Sequence, residues 1–599
     1  MQRYEVRFLP EDRKVTVAGG TNLLEAAREA GLTVEAPCDG KGSCGKCRVR
    51  ASGALSAPDP LEAARLGEAS GKNIRLACRA RVHSSVEVEI LSAAGNTFVV
   101  LAEGQSGGWA FDPPVRRVAM VTGTAEHGYG APAMAGGAEP FFFDHFPVLL
   151  RKLAEEYSKE PTGLEAIVKN DRLLDWRKTG QRCCGVALDI GTTSVVAELF
   201  DLDDGKSLGI RSCLNPQTEF GGDVLTRIAF TLQHADGTKL LQQKIAGCIN
   251  ELLEQLAGAA KLARDNIYEL VVAGNTTMQH LLLGIPPRSL AQSPYRPVFT
   301  RQLEVGPAEA GLNIAPRGVV TVLPSASAFV GADIVAGLIA LGLQRCSKTV
   351  LFIDIGTNGE IVVGRDGVLA GTSSAAGPAL EGMNITCGCR AEQGAAEGVE
   401  IRSDGSVDVA VIGGGTAGGI CGSGLIDLVA ELIRCGVLAA SGRFVKPEKL
   451  TPALASRLMS VNGKPAFRVS DDGAVYLSQK DVRQVQLAKG AIAAAIGLLL
   501  KELNIGYADI EEILVAGAFG FHLKPASLVG IGLLPPGCEA KIRFVGNTAK
   551  EGAKAALLNR QAGREMVELA NNLQIRELSL LPEFQEYYVK ALVFPATES

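Results

Sequence analysis

Residues 185–194 read GVALDIGTTS, and residues 350–359 read VLFIDIGTNG. In both stretches an apolar run ends in Asp-Ile-Gly-Thr, as expected for a buried strand that turns sharply at its end. Asp189 and Asp354 therefore occupy equivalent positions in two copies of one motif. This repetition is the strongest organisational signal in the sequence, and it predicts an internal duplication.

The sequence that follows each copy extends the match. Each turn leads into a second apolar segment and then into Asp-Gly, at 204–205 and at 366–367, which favours a hairpin into a third strand. A further matched pair reads LVVAGNTT at 270–277 and ILVAGAFG at 513–520. We therefore predict two halves with the element order βββαβα, over residues 185–345 and 346–599.

The two turns suit the binding of a triphosphate. A strand that ends in Asp and turns through Gly presents backbone N–H groups and Thr hydroxyls toward one point, where phosphate oxygens bind. Two facing turns would hold a triphosphate between them, with Asp189 and Asp354 as catalytic residues that hold Mg²⁺ directly or through its waters. A single turn of this kind also occurs in hairpins without a ligand, so the prediction depends on the repetition.

The duplicated motif resembles the ASKHA superfamily, which contains acetate and sugar kinases, Hsc70 and actin. That resemblance implies an actin-like, ribonuclease H-like ATPase domain over 185–599, with phosphate motifs at 189–194 and 354–360 and an adenosine motif at 515–520. The glycine-rich turn at 419–427, which opens a predicted helix through Ile433, also suits phosphate or ribose, although packing through small residues explains it equally well. The predicted nucleotide-binding residues are Gly191, Thr192, Thr193, Gly356, Thr357, Asn358, Glu360, Gly422, Ser423, Gly424, Gly517 and Gly520.

Residues 1–95 carry cysteines with the spacing of metal ligands. Cys38, Cys44, Cys47 and Cys78 give C-x5-C-x2-C-x30-C, which suits a [2Fe–2S] cluster because three thiolates lie on one short loop. A structural zinc site usually consists of two C-x2-C pairs, and this unit has one, so zinc is the weaker alternative. Alternating apolar residues on both sides of the loop indicate a β-grasp sheet. The unit resembles a [2Fe–2S] ferredoxin.

Residues 96–184 are less regular. Residues 103–138 are rich in Gly, Pro and Ala, so we predict a linker over 96–138 that acts as a mobile tether. Residues 141–157 are aromatic and then helical in pattern, which predicts a small middle domain over 139–184.

Composition excludes several classes of protein. The 599 residues suggest roughly four domains, and the net charge of −5 leaves no basic surplus to bind nucleic acid or an anionic membrane. The first residues are charged and no long apolar run follows, so we predict a cytoplasmic protein without a membrane partner. The 14 cysteines are then not expected to form disulfides. The 6 histidines lack metal-ligand spacing, which argues against a zinc hydrolase.

The combination of a ferredoxin unit and an ASKHA ATPase is similar to the reductive activators of corrinoid proteins. The segments FGGDVLTRI at 220–228, VAGNTTM at 272–278 and GPALEGMNI at 377–385 also resemble that family. The resemblance implies ATP-dependent transfer of one electron from a [2Fe–2S] cluster, which reduces Co(II) to Co(I) in the corrinoid protein of a methyltransferase system. It also implies an external low-potential electron donor and admits a homodimer.

Other functions stay open at this point. A small-molecule kinase of the ASKHA superfamily would leave the ferredoxin unit unexplained. A second alternative is an ATP-driven electron donor to a dehydratase or reductase. Proteins of that kind resemble the ATPase half of this chain, but they hold a [4Fe–4S] cluster between two subunits. A third alternative is a non-enzymatic, redox-sensing binding module, in which the ATPase fold only senses whether nucleotide is bound.

Overall fold

The computed structural model describes residues 2–91, 104–121, 133–134, 148–149, 151 and 164–596, except 11, 33, 35, 37–39, 41, 43–44, 67–72, 106 and 518–522. Cys38, Cys44 and Gly520 lie outside the described residues, as does most of the segment 122–163. The assignments made for them therefore stay predictions.

The N-terminal unit is a small mixed sheet with helices. Its described elements are β1 (Arg3–Leu9), β2 (Arg13–Ala18), α1 (Leu23–Glu29), β3 (Arg48–Ser52), α2 (Pro60–Leu66), β4 (Ile74–Leu76) and β5 (Val86–Ile90). These strands pair in the order β2-β1-β5-β3-β4, with β1 parallel to β5. The Asn22 side chain accepts a hydrogen bond from the Glu25 N–H at 2.9 Å, which fixes the start of α1. The β-grasp prediction is confirmed.

A second sheet connects the predicted linker with the predicted middle domain. It contains β6 (Val115–Val121), β7 (Ala133–Met134), β8 (Leu164–Lys169) and β9 (Arg172–Lys178), in the order β7-β6-β8-β9. Because residues 115–119 of β6 pair with β8, the boundary predicted at residue 138 falls inside one sheet. The pairing joins segments more than 40 residues apart, so no local pattern around β6 could reveal it.

Residues 104–105 and 107–112 are bound to both halves of the remaining chain, in contrast to the predicted mobile tether. The Gln105 N–H donates to Val545 O at 3.0 Å. Gly104 lies so close to the backbone of Asn547 that a Cβ at residue 104 would be 2.4 Å from Asn547 O. Gly104, one of the glycines that predict flexibility here, instead permits close backbone contact.

The first half of the remaining chain is built on a mixed sheet in the order β12-β11-β10-β13-β15-β14. The strand that ends in Asp189 is central, with an antiparallel neighbour on one side and a parallel neighbour on the other. The elements are β10 (Cys184–Ile190), β11 (Ser194–Asp201), β12 (Ser207–Leu214), α3 (Val224–Gln233), α4 (Gly237–Ala259), β13 (Ile267–Gly274), α5 (Thr276–Leu282), β14 (Leu303–Val305), β15 (Val319–Val322) and α6 (Ala332–Ala340).

The second half repeats this arrangement in the sheet order β26-β25-β16-β17-β18-β27, with small sheets β20-β19-β21 and β22-β23-β24 inserted. Its strands are β16 (Val350–Ile355), β17 (Gly359–Arg365), β18 (Val368–Ser374), β19 (Ala395–Ile401), β20 (Val407–Val411), β21 (Gly419–Ile420), β22 (Leu458–Val461), β23 (Lys464–Arg468), β24 (Tyr476–Ser478), β25 (Glu512–Ala516), β26 (Ile542–Gly546) and β27 (Gln574–Ile575). Its helices are α7 (Gly422–Arg434), α8 (Pro452–Ala455), α9 (Gln479–Glu502), α10 (Pro525–Gly530), α11 (Thr548–Leu558), α12 (Arg560–Asn572) and α13 (Phe584–Ala591).

The register of the two central strands confirms the duplication. Asp189 lies beside Ala273 of the parallel strand β13, and Asp354 lies beside Ala516 of the parallel strand β25. Both aspartates therefore end their strands at the same edge of equivalent sheets, as the two copies of the motif predict.

The halves meet where α6 packs against α11. A Cβ at Gly552 would lie 2.2 Å from Ala336 O, and a Cβ at Gly337 would lie 2.6 Å from Thr548 Oγ1. The two helices therefore touch through positions that have no room for a side chain.

Among the described residues, α9 is the helix with the length and hydropathy of a membrane span, and 72% of its apolar window is buried inside the protein. Its Val482, Ile492 and Leu499 belong to the hydrophobic core of the second half. The helix is thus a core element of that half.

Candidate nucleotide and iron–sulfur sites

A cleft of about 170 Å³ is lined by residues from both halves. The turns after β10 and β16 enter it from opposite halves, together with the end of β25 and the start of α11. The predicted residues that line the cleft are Asp189, Gly191, Thr192, Thr193, Asp354, Gly356, Thr357, Asn358, Glu360 and Gly517. The structure therefore brings the two phosphate turns to one place.

Gly517 ends β25 close to the second turn. Its φ is +119°, and a Cβ at this position would lie 2.3 Å from Ile355 O. The equivalent Gly274 of the first half makes the same approach, because its Cβ would lie 2.8 Å from Ile190 O. The matched glycines thus allow each parallel strand to pass closely beside its phosphate turn.

Gly422, Ser423 and Gly424 are buried at the start of α7 and do not line this cleft. A Cβ at Gly424 would lie 2.2 Å from Ala396 O. The packing alternative therefore accounts for Gly424, and a nucleotide contact by the other two residues stays a prediction.

Sequence reasoning missed several cleft residues that hold the predicted ones. Asn547 Nδ2 donates to Asp189 Oδ2 at 2.9 Å, so α11 of the second half orients the aspartate of the first. Asn275 Nδ2 donates to Thr192 Oγ1 at 3.1 Å. The helix-capping pattern of Asn547 could have been found in the sequence, but its contact with Asp189 could not, because it depends on the packing of the two halves.

Glu381 was also missed, although it lies in the segment 377–385 that carries the family resemblance. The Thr357 hydroxyl donates to Glu381 Oε2 at 2.8 Å. Glu381 therefore holds Thr357 of the second phosphate turn and also lines the cleft.

The cleft concentrates carboxyl groups. Burial raises the pKa of Asp189 and of Asp354 to about 7 each, and raises the pKa of Asp333 to about 6. Burial also raises the pKa of Glu360 and of Glu381, and the mutual repulsion of these groups adds to the effect at Asp354 and Glu360. Among the described residues no group of three or more Asp, Glu, His or Cys side chains is placed to hold a metal ion, so Mg²⁺ at these carboxyl groups stays a prediction.

Two of the four predicted cluster ligands lie within the described residues. Cys47 Sγ and Cys78 Sγ are 3.3 Å apart, and both side chains are buried. Gly40, Gly42 and Gly45 have positive φ angles, so the loop that carries Cys47 curves tightly. Two adjacent thiols beside a curved glycine loop fit a [2Fe–2S] cluster that is held by cysteine.

Comparison with known proteins covers the chain from end to end. Residues 6–83 match the 2Fe-2S iron-sulfur cluster binding domain, 184–346 match the RACo middle region, and 348–599 match the C-terminal domain of RACo, the ASKHA domain. The chain is 32% identical over 604 residues to the corrinoid activation enzyme RamQ of Eubacterium limosum, which covers 97% of this chain and 98% of that protein. This chain belongs to the RACo family of corrinoid-protein activators.

Two further relatives support membership of the RACo family. A solved structure of a reductive activator for corrinoid, iron-sulfur protein is 31% identical, with a TM-score of 0.72 and coverage of 99% of this chain and 98% of the other. The [Co(II) methylated amine-specific corrinoid protein] reductase of Methanosarcina barkeri is 24% identical and covers 68% of this chain and 77% of that protein. The predicted fold, the 2Fe-2S cluster and ATP binding are confirmed for these domains.

Proposed function

We propose that this chain is an iron–sulfur ATPase that reactivates a corrinoid protein by reducing its cobalt from Co(II) to Co(I). One observation carries the proposal: a ferredoxin domain and an ATP cleft lie on one chain that is similar over its whole length to activators of corrinoid proteins. A kinase would use the cleft but has no role for the ferredoxin domain.

The cluster, when bound, supplies one electron. Cys38, Cys44, Cys47 and Cys78 would hold it. Burial of Cys47 and Cys78 keeps water from two of these ligands. For one electron, each ~59 mV of unfavourable potential costs a factor of ten in the equilibrium, and reduction of Co(II) to Co(I) is a low-potential step. The ferredoxin domain therefore needs a source of free energy, which the second site provides.

In this proposal, ATP binding in the cleft changes the relative position of the two halves. The N–H groups of both turns would bind phosphate oxygens, and Asp189 and Asp354 would orient Mg²⁺ from opposite halves. Because each half contributes one turn and one carboxylate, binding is strongest when the halves approach each other. Such a closure can favour the complex in which the cobalt of the partner is easier to reduce.

The test is direct reduction under anaerobic conditions. Purified protein, a chemical reductant and MgATP are added to candidate corrinoid proteins, and the Co(I) absorption spectrum is followed. We expect Co(I) only when ATP, the cluster and an accepted corrinoid protein are all present. No Co(I) from any candidate would contradict the proposal, and a phosphorylated product from a sugar or carboxylate panel would favour the kinase. An EPR signal of a [4Fe–4S] cluster that is lost when two subunits separate would favour the dehydratase-type donor, whereas iron content alone is four per pair of chains in both cases.

Three further properties are part of this proposal and stay predictions. They are reduction by an external low-potential electron donor, a cytoplasmic location and a homodimeric state. Sedimentation of the holo protein tests the last of these.

A further inference from the structure

The ferredoxin domain contacts both halves of the ATPase domain. In the first half, the Arg28 guanidinium on α1 donates to Glu219 O and lies 4.9 Å from the centre of the Phe220 ring. In the second half, Lys46 Nζ donates to Gly388 O. Lys46 lies between Cys44 and Cys47 in the sequence, so this contact involves the cluster-binding loop itself.

The Arg28 contact is connected to the first phosphate turn by one buried side chain. Arg227 is 0% exposed, its Nε donates to Gly221 O at 3.0 Å, and its Nη2 donates to Thr192 O. Gly221 directly follows Phe220, on which Arg28 rests. Arg227 therefore connects a shift of the turn at Thr192 to residues 219–221, the segment that Arg28 contacts.

The Lys46 contact is connected to the second phosphate turn. A Cβ at Gly388 would lie 1.9 Å from Gly382 O, so the loop that presents Gly388 O is packed directly on residue 382. Gly382 follows Glu381, which accepts the hydrogen bond from the Thr357 hydroxyl. Both docking points of the ferredoxin domain thus lie on segments that support a phosphate turn.

We propose that docking of the ferredoxin domain on these two segments is linked to nucleotide binding, so that the domain is docked without nucleotide and released when nucleotide is bound. Arg28 binds the first half and Lys46 binds the second half, and the distance between these halves changes when the cleft closes. Hydrogen bonds weaken steeply beyond about 3.2 Å or off their axis, so one rigid domain cannot keep both contacts after the halves move. Release frees the cluster loop to face another protein.

Linkage makes the effect reciprocal. If nucleotide weakens docking, then docking weakens nucleotide binding by the same factor, for which couplings of about 5–150-fold are typical. This inference rests on one part of the proposed function, that ATP binds in the cleft and moves the two halves relative to each other, and it does not require corrinoid reduction. It can fail while the corrinoid function stands, and the reverse is also true.

The first measurement is the affinity of full-length, cluster-loaded protein for a nonhydrolysable ATP analogue with Mg²⁺, by calorimetry. We expect the double variant Arg28→Ala, Lys46→Ala to bind at least fivefold more tightly than wild type. The control is Arg50→Ala, which removes an exposed ferredoxin arginine that pairs with Glu89 of the same domain, and it should bind like wild type. Equal affinity of the double variant and wild type would overturn the proposal.

The second measurement uses the wild-type protein alone, so it does not depend on the folding of a variant. Amide hydrogen exchange of residues 219–222 and 386–390 is compared with and without the analogue. We expect faster exchange in both segments when the nucleotide is bound, because the ferredoxin domain leaves them. Unchanged or slower exchange in these segments would refute nucleotide-driven release.

Discussion

Asp354 shares the cleft with the carboxyl groups of Asp189, Asp333, Glu360 and Glu381. Burial raises its pKa to about 7, and repulsion from Asp333, Asp189 and Glu381 adds to the shift. A carboxyl group whose folded pKa lies above its unfolded value binds a proton more readily in the folded state. Its protonation therefore stabilises the fold at low pH, and this contribution is lost as pH rises from about 4 to about 7.

We predict that Asp354→Asn has opposite effects on stability and activity. The amide cannot ionise, so the melting temperature of the nucleotide-free variant should exceed that of wild type at pH 8, and the difference should shrink toward pH 5. Its ATP turnover should fall by about two decades or more, because a charge that stabilises the transition state is lost. Thermal melts and phosphate release test both effects.

The matched control is Asp366→Asn, at the exposed turn between β17 and β18. It makes the same chemical change outside the cleft, so both melting temperature and turnover should stay near wild type. Full turnover in Asp354→Asn would show that the duplicated turn has only a structural role.

Cys78 provides a second prediction at this scale. Its thiol lies 3.3 Å from that of Cys47, and Cys78→Ser should lose most bound iron and the [2Fe–2S] EPR signal while nucleotide binding is retained. Cys346→Ser, in the ATPase domain, should keep both. A wild-type cluster signal in Cys78→Ser would contradict the ligand assignment, and the same test applies to Cys44→Ser.

At the scale of elements, the crossing of α6 and α11 sets how the halves meet. Gly552→Ala would place a methyl group 2.2 Å from Ala336 O, so the helices would have to separate. We expect a loss of about 1–3 kcal/mol in the free energy of unfolding, as is typical of overpacking, and weaker nucleotide binding.

Gly563→Ala on the neighbouring helix α12 is the matched control for Gly552→Ala. A Cβ there has no neighbouring atom within 4 Å, so the change should stabilise the helix by about 0.5–1 kcal/mol. Denaturant unfolding of both variants measures the difference. Equal stability of the two would mean that the close contact between α6 and α11 is not needed.

At the scale of the whole molecule, the middle sheet is joined to the first half by buried charges. Lys169 on β8 forms ion pairs with Glu269 at 2.7 Å and with Glu304 at 2.6 Å, and Glu269 is 1% exposed. Removal of Lys169 would leave a buried carboxylate without its cation, which typically costs about 3–5 kcal/mol.

We therefore predict that a truncated chain starting at Gly104 is more stable than one starting at Gly185, and that it is the better one for testing partner binding. The longer chain keeps the contacts of residues 104–112 and of Lys169, and it should bind the Co(II) partner, hydrolyse ATP faster in its presence and fail to reduce it. The shorter chain should melt at a clearly lower temperature. Partner binding by residues 1–95 alone, and none by the chain from Gly104, would contradict this division of roles.

The sequence by itself determined the parts that depend on local patterns. The strand that ends in Asp189 and its repeat at Asp354 could be predicted because a buried strand and a glycine turn leave their pattern in consecutive residues. The start of α1 at Asn22 and the spacing of the cluster cysteines are local in the same sense. These features sufficed for the fold class, the family resemblance and most of the cleft residues.

Only the tertiary structure decided which distant segments meet. Asn547 holds Asp189, β6 pairs with β8, and Arg28 rests on Phe220, although many residues separate the partners in each case. The glycine-rich segment that contains Gly104 predicts a tether, yet Gly104 packs against the C-terminal half because a small residue serves close packing as well as flexibility. Such contacts arise when separately folded surfaces pack together, and neither surface carries the identity of its partner in its own sequence pattern.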